Sequence, residues 1–357
     1  MNFVHIADVH LSAVPESGTE LGKIREREIY QTFYKILEQC RNEKPELLLI
    51  AGDLFHRPPL IKELKELDYH FQKLSCTQIV LIAGNHDYAG PHSNYRNFKW
   101  SNNVTMLLGR QLQSVYFPDF NTRVYGFSYH DRNYFEALPD CTAPKSQEEI
   151  SILMLHGGEE GKVPFNQKRL AAAGFDYIAL GHVHNNHEPL AERMTYTGSL
   201  EPLDRNELGQ HGYYKGSILS HGGRFSLQFV PAACRSYIKL EINVTSDSTN
   251  SSIMEECEKK ISQYGEENLY RIRLSGRRST DLTIDRELLL SLGIVLEVVD
   301  DTLPDFDTEQ IANDNPDNIF GMFVQKINAK QDTEEEIKNK ALNYGLEALW
   351  QTQKKQI

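Results

Sequence analysis

The sequence predicts an α/β protein followed by a smaller α+β unit, and three observations carry that expectation. In the first hundred residues, short apolar runs alternate with segments of helical period, the pattern left by strands joined through crossover helices. The first three apolar runs each lead into a polar residue able to bind a metal, namely Asp8, Asp53 and Asn85. Around residues 231–235 such residues stop, and a strand, a helix and a strand follow without them.

Residues 2–7 read as the first strand. Residues 23–43 read as an amphipathic helix, with Ile29, Phe33, Ile36, Leu37 and Cys40 along one stripe. The second strand is 47–51, and a helix over 61–74 leads to the third at 78–83. In open α/β sheets, ligands gather outside the carboxyl ends of the strands, so polar residues distant in sequence converge there. After residue 100 the runs shorten to 115–117, 123–127, 151–155, 177–180, 214–219 and 225–230, which we read together as a second sheet. A strand at 237–244, a helix at 253–264 and a strand at 270–274 form the later unit. A last helix over 333–351 carries Ile337, Ala341, Tyr344, Leu346 and Leu349 as its apolar positions. The expected domains are 1–232, 233–330 and a helical segment 331–357.

Composition excludes several classes. The chain has 357 residues at 40% hydrophobic content, enough for a full-sized core. Its apolar runs are strand-length, far below the roughly 20 residues that span a bilayer, so no membrane partner is expected. A candidate ligand by residue 8 leaves no room for a cleavable signal. The five cysteines are odd in number and never in CxxC spacing, which suggests reduced thiols in a cytoplasmic protein. A net charge of −12 argues against tight autonomous binding to duplex nucleic acid. Between residues 297 and 317 there are eight acidic residues and no Lys or Arg, read as a solvated acidic loop that would repel a polyanion. Arg271, Arg273, Arg277 and Arg278 cluster separately, the first two on one face of a strand.

The chemistry lies in five clusters: Asp8-Val9-His10, Gly52-Asp53-Leu54-Phe55-His56-Arg57, Gly84-Asn85-His86-Asp87, His156-Gly157-Gly158 and Gly181-His182-Val183-His184. Taken singly, each is a turn after a strand or a satisfied core histidine. Jointly, Asp8, His10, Asp53, Asn85, His156, His182 and His184 supply enough oxygen and nitrogen ligands for two metal spheres sharing one carboxylate. Carboxylate, amide and imidazole without thiolate favour manganese, with iron, zinc or magnesium as alternatives. Two such ions about 3.5 to 4 Å apart polarise a phosphoryl group and lower the pKa of a bridging water. His5 lies inside the first strand on the face opposite Asp8, a core position. His92, His130, His187, His211 and His221 lie outside the motifs, and Gly198-Ser199 reads either as a plain turn or as one whose hydroxyl orients a ligand.

Over residues 8–184 these clusters resemble the calcineurin-like metallophosphoesterase superfamily. The resemblance implies a four-layer α/β/β/α sandwich, with Asp8, His10, Asp53 and His184 on one ion and Asp53, Asn85, His156 and His182 on the other. The phosphatase branch carries aspartate where this chain has His56. The version found here resembles the nuclease branch, the nuclease components of the bacterial SbcCD repair complex with their archaeal and YhaO-type relatives. That branch implies that His86 acts on the leaving group, a role worth about 10²- to 10⁴-fold in rate, and that His56 supports it and the substrate. It also implies a capping domain for DNA over 233–330, and a terminal helix that grips a structural-maintenance-type coiled-coil ATPase. The implied function is a manganese-dependent DNA exonuclease, 3′ to 5′, acting in DNA repair, with endonuclease activity and a homodimer left open. A small-nucleotide phosphodiesterase or phosphatase is the second reading, and a non-catalytic scaffold the third.

Overall fold

Residues Leu47–Ala51 are buried along their whole length, on both faces, and this places them at the centre of a covered sheet. The computed structural model describes residues 1–134, 149–158, 161–185 and 189–354. Two compact units divide the chain, Met1–Tyr237 and Ile238–Ile357.

In the first unit the elements run β1 (Asn2–Ile6), α1 (Glu20–Glu43), β2 (Leu47–Ala51), α2 (Ile61–Gln72), β3 (Gln78–Ile82), β4 (Val104–Met106), β5 (Gln113–Phe117), β6 (Thr122–Gly126), β7 (Ile150–His156), α3 (Gln167–Ala171), β8 (Tyr177–Gly181), β9 (Met194–Tyr196), β10 (Gly212–Ile218) and β11 (Phe225–Pro231). Helix α1 starts earlier than its apolar stripe, because the Thr19 hydroxyl accepts from the Gly22 amide at 3.1 Å. It ends where Lys44 turns left-handed and donates its N–H to the Cys40 carbonyl at 2.8 Å.

A six-stranded sheet has the order β11-β10-β1-β2-β3-β4, and a five-stranded sheet the order β5-β6-β7-β8-β9. Strands β1 to β4 are mutually parallel, as are β6 to β9. The expectation that the runs after residue 100 share the second sheet fails for β10 and β11, and β4, which the sequence did not announce, also joins the first sheet. The chain returns after β9, and β10 pairs antiparallel with β1, from Asn2 opposite Ser217 to His5 opposite Tyr214.

Alternation along each strand builds the layers. Val4, Ile6, Leu48, Ile50, Ile79 and Leu81 pack on Ile29, Phe33, Leu64 and Phe71 of the first two helices. Phe3, Leu47, Leu49, Val80 and Ile82 face Val124, Ile152, Met154 and Tyr177 of the second sheet. Leu153, Leu155, Ile178 and Leu180 meet Leu170 of α3 and Phe175 on the far side. The predicted α/β class and the four-layer α/β/β/α arrangement are both realised.

The second unit holds β12 (Tyr237–Val244), α4 (Asn250–Tyr264), β13 (Leu269–Arg278), α5 (Arg286–Leu290), β14 (Val295–Asp300), β15 (Leu303–Pro304), α6 (Thr308–Asp314), α7 (Ile319–Asn328) and α8 (Glu335–Lys354). The acidic segment is not a loop. Its first part forms β14, parallel to β13, and there the acids meet the arginine cluster: Arg271–Glu297 at 2.8 Å, Arg273–Asp301 at 2.6 Å and Arg277–Asp305 at 3.9 Å. Arg278 pairs with Glu347 of α8 at 3.2 Å. Two features that looked independent in the sequence are the two sides of one ion-pair ladder.

Cys40, Cys76, Cys234 and Cys257 are free thiols, and Cys141 and His187 fall outside the described residues. Among the described residues, no helix is long and apolar enough to cross a membrane.

Arg25 is wholly buried in the first unit, bonded to Glu28 at 2.5 Å, to Glu201 at 3.0 Å and to the Pro202 carbonyl at 3.1 Å. Glu201 also accepts from Thr32 and from the Cys234 amide, and Arg235 pairs with Glu28. Arg25→Ala leaves buried Glu201 without a cation and Glu28 with Arg235 alone. It is expected to lower the free energy of urea unfolding by about 3–5 kcal/mol, and a loss under about 1 kcal/mol would show that water already solvates the network.

Candidate metal centre

Parallel strands present their carboxyl ends along one edge, and here that edge collects all five clusters. Asp8 and His10 follow β1, Asp53 and His56 follow β2, Asn85 and His86 follow β3, His156 closes β7, and His182 and His184 follow β8. The first two loops are zipped together: Asp8 N–H donates to the Gly52 carbonyl at 3.1 Å, His10 N–H to Asp53 at 3.0 Å and His56 N–H to Leu11 at 3.0 Å.

Four of these residues carry the backbone in the left-handed region, with φ of 49° at Asp8, 51° at His10, 48° at Asp53 and 102° at His182. Non-glycine residues held there cost about 1–3 kcal/mol each, a strain that concentrates at functional sites. Glycine does a separate job at 84. A Cβ on Gly84 would overlap the Asp53 carboxylate and stand 2.7 Å from its amide nitrogen.

The side chains converge. His156 Nε2 lies 3.3 Å from Asp53 Oδ2 and 3.1 Å from Asn85 Oδ1, while its Nδ1 donates to the Ala51 carbonyl at 2.9 Å. His10 Nε2 stands 3.7 Å from Asp53 Oδ2 and 3.0 Å from His184 Nε2, and His184 Nε2 is 3.9 Å from Asp8 Oδ1. Asp8 accepts the His182 amide on both oxygens, at 3.1 and 2.8 Å. Three groups have ligand atoms within 4.8 Å of one another: Asp8–His10–His184, Asp8–Asp53–His156 and His10–His56–His86. The His182 ring lies beside that of His156, with centroids 5.3 Å apart, and is outside those three groups.

Asp53 supplies the test of fit. Its Oδ1 accepts from the His86 amide at 2.8 Å, whereas its Oδ2 is buried and accepts no hydrogen bond. A buried carboxylate oxygen without a donor is costly unless a cation takes that place. With imidazoles of His156 and His10 at 3.3 and 3.7 Å, the donor set suits a carboxylate shared between two divalent ions.

Electrostatics agree with that use. Burial disfavours ionised Asp53, yet the imidazoles of His156 and His10 outweigh it and hold the carboxyl far below its usual range. Burial raises Asp8. Burial also opposes charge on His156, but Asp53 and Asp8 hold its pKa at about 9. His184 is likewise held at about 9, against burial, by its bond to Glu207 and by Asp8. Burial pushes His182 down to about 3 and His10 well below its normal value.

His56 and His86 form the outer part of the cluster. Their rings stack with centroids 4.9 Å apart, His56 is exposed and His86 half-buried. His56 Nδ1 is 3.2 Å from His10 Nδ1, and His86 Nδ1 is 3.2 Å from the His56 carbonyl. His5 is a core residue bonded to the Tyr177 hydroxyl at 2.9 Å.

Two residues of the site were not singled out by sequence reading. Asp87, fully buried, accepts from Gly84 N–H at 2.8 Å, Phe55 N–H at 3.2 Å and the Tyr95 hydroxyl at 2.8 Å, tying the loops after β2 and β3 together. Its place beside Asn85-His86 was a usable signal. Glu207 reaches His184 Nδ1 at 2.7 Å across 23 residues, and nothing local in the sequence marks it.

A family model described as calcineurin-like phosphoesterase matches residues 1–186. The uncharacterized metallophosphoesterase YhaO of Bacillus subtilis is 28% identical over 284 residues, covering 74% of this chain and 68% of that protein. The DNA double-strand break repair protein Mre11 of Methanocaldococcus jannaschii is 27% identical over 357 residues, 93% of this chain and 88% of its own. A subunit of the nuclease SbcCD from Staphylococcus epidermidis is 26% identical over 266 residues, 65% of this chain and 69% of that one.

Because His156 and His184 hold protons up to about pH 9 in the metal-free protein, binding a divalent ion at pH 7 must expel them. Calorimetric titration with Mn²⁺ in two buffers of different ionisation enthalpy is expected to show proton release at pH 7, with affinity rising as the pH approaches 9. Binding at pH 7 without proton release would contradict these protonation states.

Proposed function

The chain belongs to the calcineurin-like phosphoesterase family, and on that premise we propose that it is a manganese-dependent DNA exonuclease, working 3′ to 5′ in DNA repair with a coiled-coil ATPase partner. The observation that carries this reading is the His56–His86 pair. It borders the ligand cluster with rings 4.9 Å apart, at a place where the phosphatase branch has aspartate. Two of the relatives are named as a DNA repair protein and a component of a nuclease, which supports the same branch.

Asp8, His10, Asp53 and His184 would hold one ion and Asp53, Asn85, His156 and His182 the other, supplying Lewis-acid polarisation of a phosphate diester and a reactive water near neutral pH. The chain's own groups do the rest. Glycines 52, 84 and 181 leave room for the Asp53 and His156 side chains, because a Cβ on any of them would overlap those groups or the backbone beside them. His86 donates Nδ1–H to the His56 carbonyl, so Nε2 is left to carry the catalytic proton. As water adds to phosphorus and the bond to the departing sugar oxygen breaks, protonated His86 gives that oxygen its proton. Burial lowers the His86 pKa, which makes its cation a readier donor. His56 backs His86 by stacking.

Residues 233–330 are assigned the role of a cap selecting DNA form, and 331–357 that of ATPase docking, for which Ile337 and Tyr344 of α8 offer exposed apolar contacts. The ion-pair ladder of β13 and β14 favours one competing reading, a phosphodiesterase of small nucleotides. It engages Arg271, Arg273 and Arg277 with carboxylates that a DNA phosphate would have to displace.

The test uses purified protein with Mn²⁺, an end-labelled linear duplex and a small chromogenic diester. Release of labelled mononucleotide from 3′ ends is expected, and His86→Asn is expected to slow it by about 10²- to 10⁴-fold without changing bound manganese. Brisk turnover of the diester with intact DNA would replace this reading by the small-nucleotide one.

A further inference from the structure

We propose that Glu207 is a positioning residue that fixes the ring orientation and tautomer of His184, and thereby sets the affinity of one ion of the pair. The inference rests on the two-ion reading above and adds a residue to it.

His184 differs from its companions in how it is held. The side chains of His10, His156 and Asp8 are 0% exposed and that of Asp53 1%, so packing confines them on every side. The His184 side chain is 24% exposed. A ring that packing confines only in part gains more from a directional bond that holds its ligating geometry. Glu207 Oε1 supplies it, 2.7 Å from His184 Nδ1. An Nδ1–H donating to this carboxylate leaves the Nε2 lone pair on the side of His10 and Asp8, the side a shared ion would occupy. His156 solves the same problem with the neutral Ala51 carbonyl. For His184 the partner is an anion, which makes the imidazole a stronger donor and adds negative charge behind it.

Glu207 is itself fixed. Its Oε2 accepts the Leu203 amide at 2.8 Å and lies 3.5 Å from the Ser199 hydroxyl. The Ser199 hydroxyl is 2.9 Å from His211 Nδ1, and His211 Nε2 returns to the Glu207 carbonyl at 3.3 Å. The Ser199 amide donates to the His184 carbonyl at 2.9 Å, closing a circuit that holds both ends of the Glu207–His184 bond. Ser199 and His211, unconnected in the sequence, thus share one task with Glu207: they support His184, Ser199 through the His184 backbone and His211 through Ser199 and Glu207.

The experiment is stepwise Mn²⁺ binding to wild type, Glu207→Gln and Glu207→Ala, by calorimetry and by EPR of free manganese. Histidine-¹⁵N spectra of the metal-free proteins, recorded above pH 9 where the His184 ring is neutral, accompany it. Wild type is expected to bind two ions. Glu207→Ala should weaken one of them by about 10- to 100-fold and leave the other unchanged, with loss of the Nδ1–H tautomer signal of His184. Glu207→Gln keeps an acceptor oxygen and the side-chain shape, so it should fall between, with kcat recovering at saturating Mn²⁺. Equal affinity for both ions in Glu207→Ala and wild type overturns the proposal alone. A parallel fall at both sites in Glu207→Gln also overturns it, by showing a merely structural role. Fewer than two ions on the wild type overturns the two-ion reading and the proposal with it.

Discussion

The parallel pairing of β1 with β2 and β3, and of β7 with β8, is the constraint from which the rest of the first unit follows. Parallel strands must end at the same edge, and two such sheets packed through Phe3, Leu49, Ile152 and Tyr177 bring two edges together. The loops leaving those edges have little freedom. Backbone bonds zip the first to the second, and Asp87 ties the second to the third. Asp53 sits where these restraints meet, with one carboxylate oxygen engaged and the other left for a cation.

Backbone strain and side-chain electrostatics serve the same end. Asp8, His10 and Asp53 adopt left-handed conformations because a strand-like exit would carry each side chain onward instead of folding it back over the edge. The cost is met by hydrophobic packing that extends into the loops themselves, through Val9, Leu11, Leu54 and Phe55. The buried Arg25–Glu28–Glu201 group holds α1 against the segment that follows Ser199, and so steadies the loop bearing Glu207.

Much of this was legible in the amino-acid sequence, and the parts that were not share a cause. Strands such as 47–51 and 78–83 announce themselves by apolar runs, and Asp8, Asp53 and Asn85 by their places at the ends of those runs. The placement of β10 beside β1 was not legible, because strand pairing across some 200 residues leaves no local trace. Glu207 was hidden for the same reason: an isolated glutamate in a turn has no period and no motif. The acidic segment was misread because charge was counted along the chain, whereas its partners, Arg271 and Arg273, lie across a parallel strand pair.

The ligand cluster draws on positions from Asp8 to His184, and the carboxylate behind His184 comes later still, at Glu207. No partial product of synthesis shorter than about two hundred residues can therefore assemble the pocket, however well its early strands form. Ions that bind only the finished arrangement draw the population toward it by mass action. Metal availability in the cell would then govern how much of the chain persists in its native form, in addition to whether that form is active.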